Sequence, residues 1–433
     1  MFVKRIKSWN NYPKVKHKGF QSLKKDVQIN FDSSNYLVHG LGRSYSDVCL
    51  NQDGNLIFTT ELNEVLEFDK DNGILKCNAG ISLKEILNLI APNGWFLPVV
   101  PGTRNITLGG AIANDIHGKN HHKYGSFGNF VNNFQLMKSN GDILHCSENK
   151  NQGYFKSTIG GIGLTGVIIS AEIKLIKIQS QYIDTKTVRY GSLEDYWEIN
   201  KKAESEFDYT VSWVDCLARN TNGLRGVFHS GNHSNKQISE KIKGDISIPV
   251  PFTPPISLVN NLSMKIINEV YFKINKDKNF KLQHYKSFFF PLDIIGSWGR
   301  AYGPKGFFQY QFVIPDNEGT TGIKKILDEI KNHGQVPALG VLKTFGNIES
   351  VGMISFPRKG ITMALDFQNK GIETLKFLNR LDAIVMEYGG ALYPAKDARM
   401  SSEVFNKSFP NINEFVKYID PKFTSSFWKR VNK

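Results

Sequence analysis

Up to about residue 180 the apolar positions of the chain come in short bursts broken by turn residues. Those at 36–38, 56–58 and 73–77 each predict a short strand. One helix stands out among them. Ser82 and Glu85 form a capping box, Leu83, Ile86, Leu87 and Ile90 share a face, and Gly94 supplies a stop. Asn140-Gly141 predicts a hairpin, and the alternation over 167–176 predicts a strand leaving this first unit. Beyond residue 180, strand-like runs at 208–215, 306–314 and 361–367 alternate with helical periodicity at 194–206, 321–332 and 372–388. An antiparallel sheet backed by helices is the packing this pattern asks for. Residues 1–35, basic and aromatic, read as an arm with a short helix laid on the first unit, and short helical pieces follow a cap at Ser401.

Residues 232–255 are polar and then proline-rich, which predicts no regular structure. They lead into 256–281, where Ile256, Leu258, Val259, Leu262, Ile266, Ile267 and Tyr271 give an apolar face and five lysines outnumber Glu269 and Asp277. Such a cationic amphipathic stretch suits peripheral contact with a membrane. The proline-rich lead-in predicts a segment, 232–281, that moves as a lid. The fold class expected is α+β, with a first domain over 1–178 and an antiparallel-sheet domain over 179–398.

Composition changes this picture in two places. The net charge of +14 implies an anionic partner, and with no zinc finger, basic zipper or aromatic RNP strand, nucleic acid is the weakest choice. The four cysteines are scattered without CxxC spacing, which argues against a zinc site or disulfide scaffold and suits a reducing compartment. The basic start has no apolar signal region and no run approaches 18 apolar residues, so the expected location is cytoplasmic or membrane-peripheral.

Candidate chemistry gathers at glycine. Residues 101–131 hold six glycines and three histidines. Gly109-Gly110 before Ala111-Ile112-Ala113 predicts a tight turn into a helical start, with N–H groups free for an anion. Further glycine-rich knots lie at 39–47 and 159–168. Three knots before residue 170 suggest one extended ligand threaded among several loops.

The segments HGLGRSYSD (39–47), PGTRNITLGGAIANDIHGKNHHKYGSFGN (101–129) and GGIGLTGVI (160–168) resemble the FAD-binding segments of the vanillyl-alcohol-oxidase-like, PCMH-type flavoproteins. Within that superfamily the chain resembles the decaprenylphosphoryl-ribose 2-oxidase family. The likeness continues through FPLD (290–293), GRAYGP (299–304), FQYQFVIP (308–315) and LYPAKDAR (392–399), so it covers nearly the whole chain. It implies a two-domain PCMH-type fold whose tail, 399–433, returns to the FAD domain.

The resemblance also implies site residues. His39, Gly40, Leu41, Gly42, Arg43, Ser44, Tyr45, Ser46 and Asp47 would contact FAD from the first knot. Gly102, Thr107, Leu108, Gly109 and Gly110 would do so from the second, followed by Asn114, Asp115, Ile116 and His117 beside the ring. Ile168 and Tyr393 complete the set. Arg43 stands where covalently flavinylated relatives have histidine, so the FAD is expected to be non-covalent. Lys396 matches the active-site lysine, a group whose pKa burial beside a flavin would lower. Lys343, Gln309, Gln311, Trp213, Lys119 and Asp366 would line the sugar pocket; Gln309 and Gln311, two apart, face the same side of a strand. Mycobacterial members carry cysteine where this chain has Ala364 and asparagine where it has Thr362, which leaves the chemistry in place and alters the pocket wall.

The activity implied is oxidation of the C2 hydroxyl of a polyprenyl-phospho-ribose to the 2-keto sugar, by hydride transfer to flavin N5. This is the first half of a 2-epimerisation to the arabinose form used in cell-envelope glycan synthesis. An NAD(P)H-dependent short-chain reductase would complete it. The competing reading is a soluble alditol or aldonolactone oxidase on the same fold, using oxygen directly.

Overall fold

The computed structural model describes residues 6–25, 29–216, 218, 224–236 and 247–433. The first short runs fold into β1 (Gly19–Ser22), β2 (Tyr36–His39) and β3 (Asn55–Phe58), a parallel sheet of order β1-β3-β2. Next come β4 (Val65–Asp69), β5 (Ile74–Asn78), α1 (Leu83–Ile90), β6 (Trp95–Phe96), α2 (Leu108–Ala113) and α3 (His121–Tyr124). They are followed by β7 (Val131–Met137), β8 (Ile143–Ser147), α4 (Gln152–Thr158), β9 (Val167–Lys174) and β10 (Ile176–Lys177). Five of these strands make an antiparallel sheet of order β4-β5-β9-β7-β8, and β10 pairs with β6. Helix α1 starts at the expected capping box: Ser82 Oγ accepts from Glu85 N and the Glu85 carboxylate accepts from Ser82 N. The four apolar residues of its predicted face are buried, and a 3-10 turn carries the chain to Gly94 at φ +79°.

The second half contains β11 (Tyr182–Tyr190), α5 (Leu193–Glu206), β12 (Tyr209–Asp215), β13 (Arg225–His233), α6 (Asn261–Ile274), β14 (Lys278–His284) and α7 (Tyr285–Phe289). It continues with β15 (Phe307–Ile314), α8 (Asp316–His333), β16 (Gly340–Phe345), β17 (Gly360–Gln368), α9 (Ile372–Glu387) and β18 (Ala391–Leu392). The eight strands form one antiparallel sheet of order β14-β11-β13-β12-β16-β17-β15-β18. The period of two sorts its side chains. Phe308, Tyr310, Phe312 and Ile314 of β15 join the core with Ile323 and Ile326 of α8 and Phe377 and Leu381 of α9. Gln309 and Gln311 face the other way, opposite Asp366 and Ala364 of β17. That polar face is covered rather than solvated, because every residue of β15 is buried.

The two halves share their cores. Val48, Ile162 and Leu164 of the first half pack in the same cluster as the large sheet's helices, with Phe405 of α10 (Ser402–Ser408). After α11 (Ile412–Phe415), the tail pairs Phe423 with Tyr36 of β2. It then buries Phe427 and Trp428 of α12 (Ser426–Val431), and Arg430 ion-pairs with Asp47 at 2.8 Å.

Three expectations change. No helix forms among residues 6–25 and 29–35; Gly19–Ser22 instead adds a strand beside β3, where backbone pairing satisfies it. The 232–281 stretch begins as the end of β13 and later contains α6 and β14, while 237–246 lie outside the described residues. Its proline-rich lead-in lacks helix and strand as expected but is anchored: Ile248 N donates to Ile294 O, Val250 N to Gly296 O, and the Arg300 guanidinium to Val250 O. Finally, Tyr271 of the supposed outer apolar face points inward, its ring centroid 4.6 Å from that of Trp213, because it lies opposite the exposed stripe of α6.

Candidate active site

After β2 the chain turns through the first glycine knot. The backbone N–H groups of Gly40, Leu41, Gly42, Arg43 and Ser44 have no hydrogen-bond partner among the described residues, whereas Tyr45 N donates to Ala395 O. Consecutive unpaired amides, with Gly42 at φ +64°, make a concave nest for an anion. A Cβ on Gly40 would run into the Thr107 side chain, so glycine lets the first knot touch the second. Arg43 folds its guanidinium 4.7 Å over the Trp9 ring and donates to Leu41 O. His39, held by Cys49 O and pushed down to about 4 by burial, is an uncharged ring beneath the loop.

The second knot behaves differently from the expectation. Leu108 N donates to Ile81 O, Gly109 N to Ala79 O and Gly110 N to Thr107 Oγ1. Two of these amides are spent on the connection between β5 and α1 and the third on the Thr107 cap, and Gly109-Gly110 lie inside the helix rather than in a turn before it. Glycine is needed here for closeness: a Cβ on Gly109 would sit 3.1 Å from that of Ala79. The third knot clasps the end of α2, with Gly160 N on Ile112 O and Ile162 N on Ala113 O, and Ile168 is buried behind it. Ser46 caps a short turn and Asp47 holds Arg430, so both side chains are engaged within the protein. Asp115 likewise accepts from Ser126 Oγ and Gly128 N. Gly102 has open space where a side chain would stand. The five free amides fit a diphosphate, and Gly102 leaves room for the rest of an extended cofactor such as FAD.

The polar face of the large sheet meets this cleft. Thr362 of β17 donates its hydroxyl hydrogen to Phe312 O at 2.8 Å, so toward Gln311 it can only accept, and Gln311 Nε2 lies 3.2 Å away. The same amide nitrogen donates to His117 Nε2 at 3.0 Å. The ring proton of His117 is therefore on Nδ1, which faces Lys343 Nζ at 2.7 Å. Lys343 accepts that proton's hydrogen bond as an uncharged amine and donates to Gly118 O at 2.7 Å. Burial, then the charges of Lys119 and Lys396, lower the Lys343 ammonium well below its ordinary range, in agreement with the bonding. His117 is packed among the rings of Phe345, Phe356 and Tyr393, and Tyr393 donates to Asn114 O.

Two strands pair a second set. Gln309 Nε2 donates to Asp366 Oδ1 at 2.7 Å, and the buried Asp366 Oδ2 has no partner among the described residues. Lys396 Nζ lies 3.9 Å over the Tyr45 ring. Burial raises the Asp366 carboxyl and lowers the Lys396 ammonium, while their mutual attraction opposes both shifts. Lys119, lowered to about 7 by burial, donates to Phe288 O and Phe289 O at the end of α7. Of the three lysines only Lys396 is drawn by the Asp366 carboxylate, while Lys343 is opposed by the like charges of Lys119 and Lys396; desolvation and that repulsion favour uncharged amines able to take a proton. Trp213 lies on the same sheet face, opposite Val341, which is two residues along from Lys343, and packs at a tilt against Tyr271.

Comparison with known proteins gives this geometry a setting. An FAD binding domain family matches residues 29–147. The decaprenylphosphoryl-beta-D-ribose oxidase of Mycolicibacterium smegmatis is 34% identical over 413 residues, covering 91% of this chain and 88% of that one. The chain belongs to the decaprenylphosphoryl-ribose oxidase family. It is an FAD-dependent oxidoreductase of the PCMH-type, α+β class. More local likeness links it to mouse L-gulonolactone oxidase, 30% identical over 32% of this chain and 31% of that one. A D-lactate dehydrogenase of Archaeoglobus fulgidus is 27% identical over 36% of this chain and 37% of that one.

Within this oxidase-family site, Lys396, Lys343, Gln309, Gln311, Asp366, Tyr393, Tyr45 and His117 come together, and Lys119 and Trp213 stand at its wall. Sequence reasoning missed Phe345 and Phe356, which have no motif of their own, and treated Thr362 only as a substitution. A hydroxyl two residues from Ala364 on the same strand face was the available signal for Thr362. Among the described residues no helix is long and apolar enough to cross a membrane.

Proposed function

We propose that this enzyme oxidises the C2 hydroxyl of a polyprenyl-phospho-ribose to the 2-keto sugar. The observation that carries the reading is the half-buried pair Lys343 and Lys396, with the buried Asp366, set against the amide nest of residues 40–44. Bound FAD supplies the acceptor for the hydride leaving C2. Lys396, its ammonium lowered by burial, takes the hydroxyl proton as a positioned base. Asp366, poised beside it with a free oxygen, holds the positive charge that forms. Lys343 keeps an N–H for the sugar oxygen while His117 and Gly118 fix its other directions. Phe345, Phe356 and Tyr393 exclude water around the imidazole. In this reading residues 1–178 hold the cofactor, 179–398 the sugar, and 399–433 close the FAD side.

Likeness to an oxidase named for lipid-linked ribose spans 91% of the chain, against 32% for L-gulonolactone oxidase, and favours the phospho-sugar over a free lactone or alditol. The 2-keto product retains the carbon framework for re-reduction from the other face, a step suited to a separate NAD(P)H-dependent short-chain reductase. Product trapping tests the assignment. Turnover of polyprenyl-phospho-ribose followed by borodeuteride should give ribo and arabino sugars labelled at C2 alone. Label at another carbon, or none above the enzyme-free control, would refute it.

A further inference from the structure

Helix α6 presents its apolar stripe to the outside. Leu262, Ile266, Val270 and Ile274 recur every four residues and are 71%, 59%, 53% and 65% exposed, with Ile267 beside them. On the opposite side Met264 and Asn268 are buried, and Asn268 donates to Asp215 of β12 at 2.7 Å. The helix is therefore docked through Met264, Asn268 and Tyr271 and leaves a continuous apolar stripe outside, unlike a surface helix that turns its whole apolar face to a core. Ile256 and Leu258 extend the patch before the helix, and Phe280 of the edge strand β14 extends it after. An exposed apolar area of this extent marks an interaction site.

The charge around it selects the partner. Lys265, Lys273, Lys276, Lys278 and Lys281 are all exposed. The nearby acids are already occupied: Glu269 binds Arg225 at 2.8 Å and Lys273 at 3.2 Å, and Asp277 lies 3.7 Å from Arg189. Lys265, Lys276, Lys278 and Lys281 have no ion pair among the described residues. Apolar side chains flanked by uncompensated lysines match the boundary between acyl chains and anionic headgroups. A protein partner for so many lysines would need a matching acidic face, whereas a bilayer offers both components everywhere.

We propose that α6, the 256–258 approach and the β14 edge form a docking surface for a bilayer containing anionic lipid. The surface stands on exposure and charge alone and does not need the substrate assignment. It also sits next to the site: the inner side of α6 places Tyr271 on Trp213 and within 3.4 Å of His229 Nε2. A docked α6 holds the Trp213 wall of the pocket at the headgroup level.

Flotation of the FAD-loaded enzyme with vesicles of phosphatidylcholine and phosphatidylglycerol, compared with phosphatidylcholine alone, tests this. Binding is expected with the anionic vesicles at low salt and should weaken as salt rises. Lys265→Glu/Lys273→Glu/Lys276→Glu should bind about tenfold or more weakly. Leu262→Ser/Ile266→Ser/Val270→Ser should lose binding while keeping the flavin spectrum and the anaerobic reduction rate with a short-chain, detergent-free substrate. Parent enzyme that ignores anionic vesicles, or variants that bind as the parent does, would overturn the proposal. So would light scattering showing that a second copy of the chain covers the stripe and that the serine variant merely dissociates it. Loss of reduction with the short-chain substrate would count against the functional reading and leave the surface untouched.

Discussion

Single atoms decide the state of the site. Thr362 has one hydrogen, and giving it to Phe312 O forces the orientation of Gln311, the tautomer of His117 and the neutrality of Lys343. Thr362→Val removes the acceptor, frees Gln311 to turn its oxygen to His117, and allows the proton to move to Nε2. Nitrogen NMR of labelled histidine should find His117 protonated at Nδ1 in the parent and at Nε2 in the variant. Flavin reduction should slow about tenfold, roughly the worth of one hydrogen bond. An Nε2–H tautomer in the parent would contradict the chain of bonds. Lys396 sets the pH response. Burial lowers its ammonium, so the uncharged, proton-accepting amine gains as pH rises and reaches its plateau well below the ordinary lysine value of about 10.4. The reduction rate should therefore climb through the neutral range and level off in mild alkali. Lys396→Ala should retain FAD yet reduce it on the order of 10²-fold more slowly, without that climb. Resemblance alone pointed to Lys396, whereas two-residue spacing put Gln309 and Gln311 on one strand face. The bonding through Thr362 was not legible, because it joins three strands and a loop far apart in sequence.

At the scale of elements, patterning served where one residue type marks the structure. The Ser82–Glu85 box fixed α1, and apolar alternation found β12, β15 and β17. Strands β13 and β16 escaped because Arg225–His233 mixes glycine, serine and histidine and Gly340–Phe345 is short, so sheet neighbours rather than propensity hold them. The glycine knots were legible as a group and misread in part, since whether an amide is free depends on a distant acceptor such as Ala79 O. The nest at residues 40–44 carries a direct expectation. Gly42→Ala forces a side chain into φ +64° and within 2.9 Å of the His39 ring, at a cost of about 1–2 kcal/mol. The purified variant should hold less FAD than the parent and melt lower, with the difference narrowing as FAD is added. Full occupancy would show that the nest does not carry the diphosphate.

The whole molecule works because its halves are not separable. Phe and Trp side chains of the tail enter the core of the large sheet, and Arg430 pins the tail to Asp47 in the first knot. The cofactor cradle and the lysine face are thereby held across one cleft, which sequence could suggest through resemblance but not build from composition. Stopped-flow reduction of the enzyme-bound flavin without oxygen reads that cleft directly. Polyprenyl-phospho-ribose should bleach the flavin in a single turnover, free pentitols and aldonolactones far more slowly, and Lys396→Ala should lag the parent with the lipid-linked sugar. Bleaching that is equally fast with a free pentitol, or as fast in Lys396→Ala as in the parent, would contradict the account.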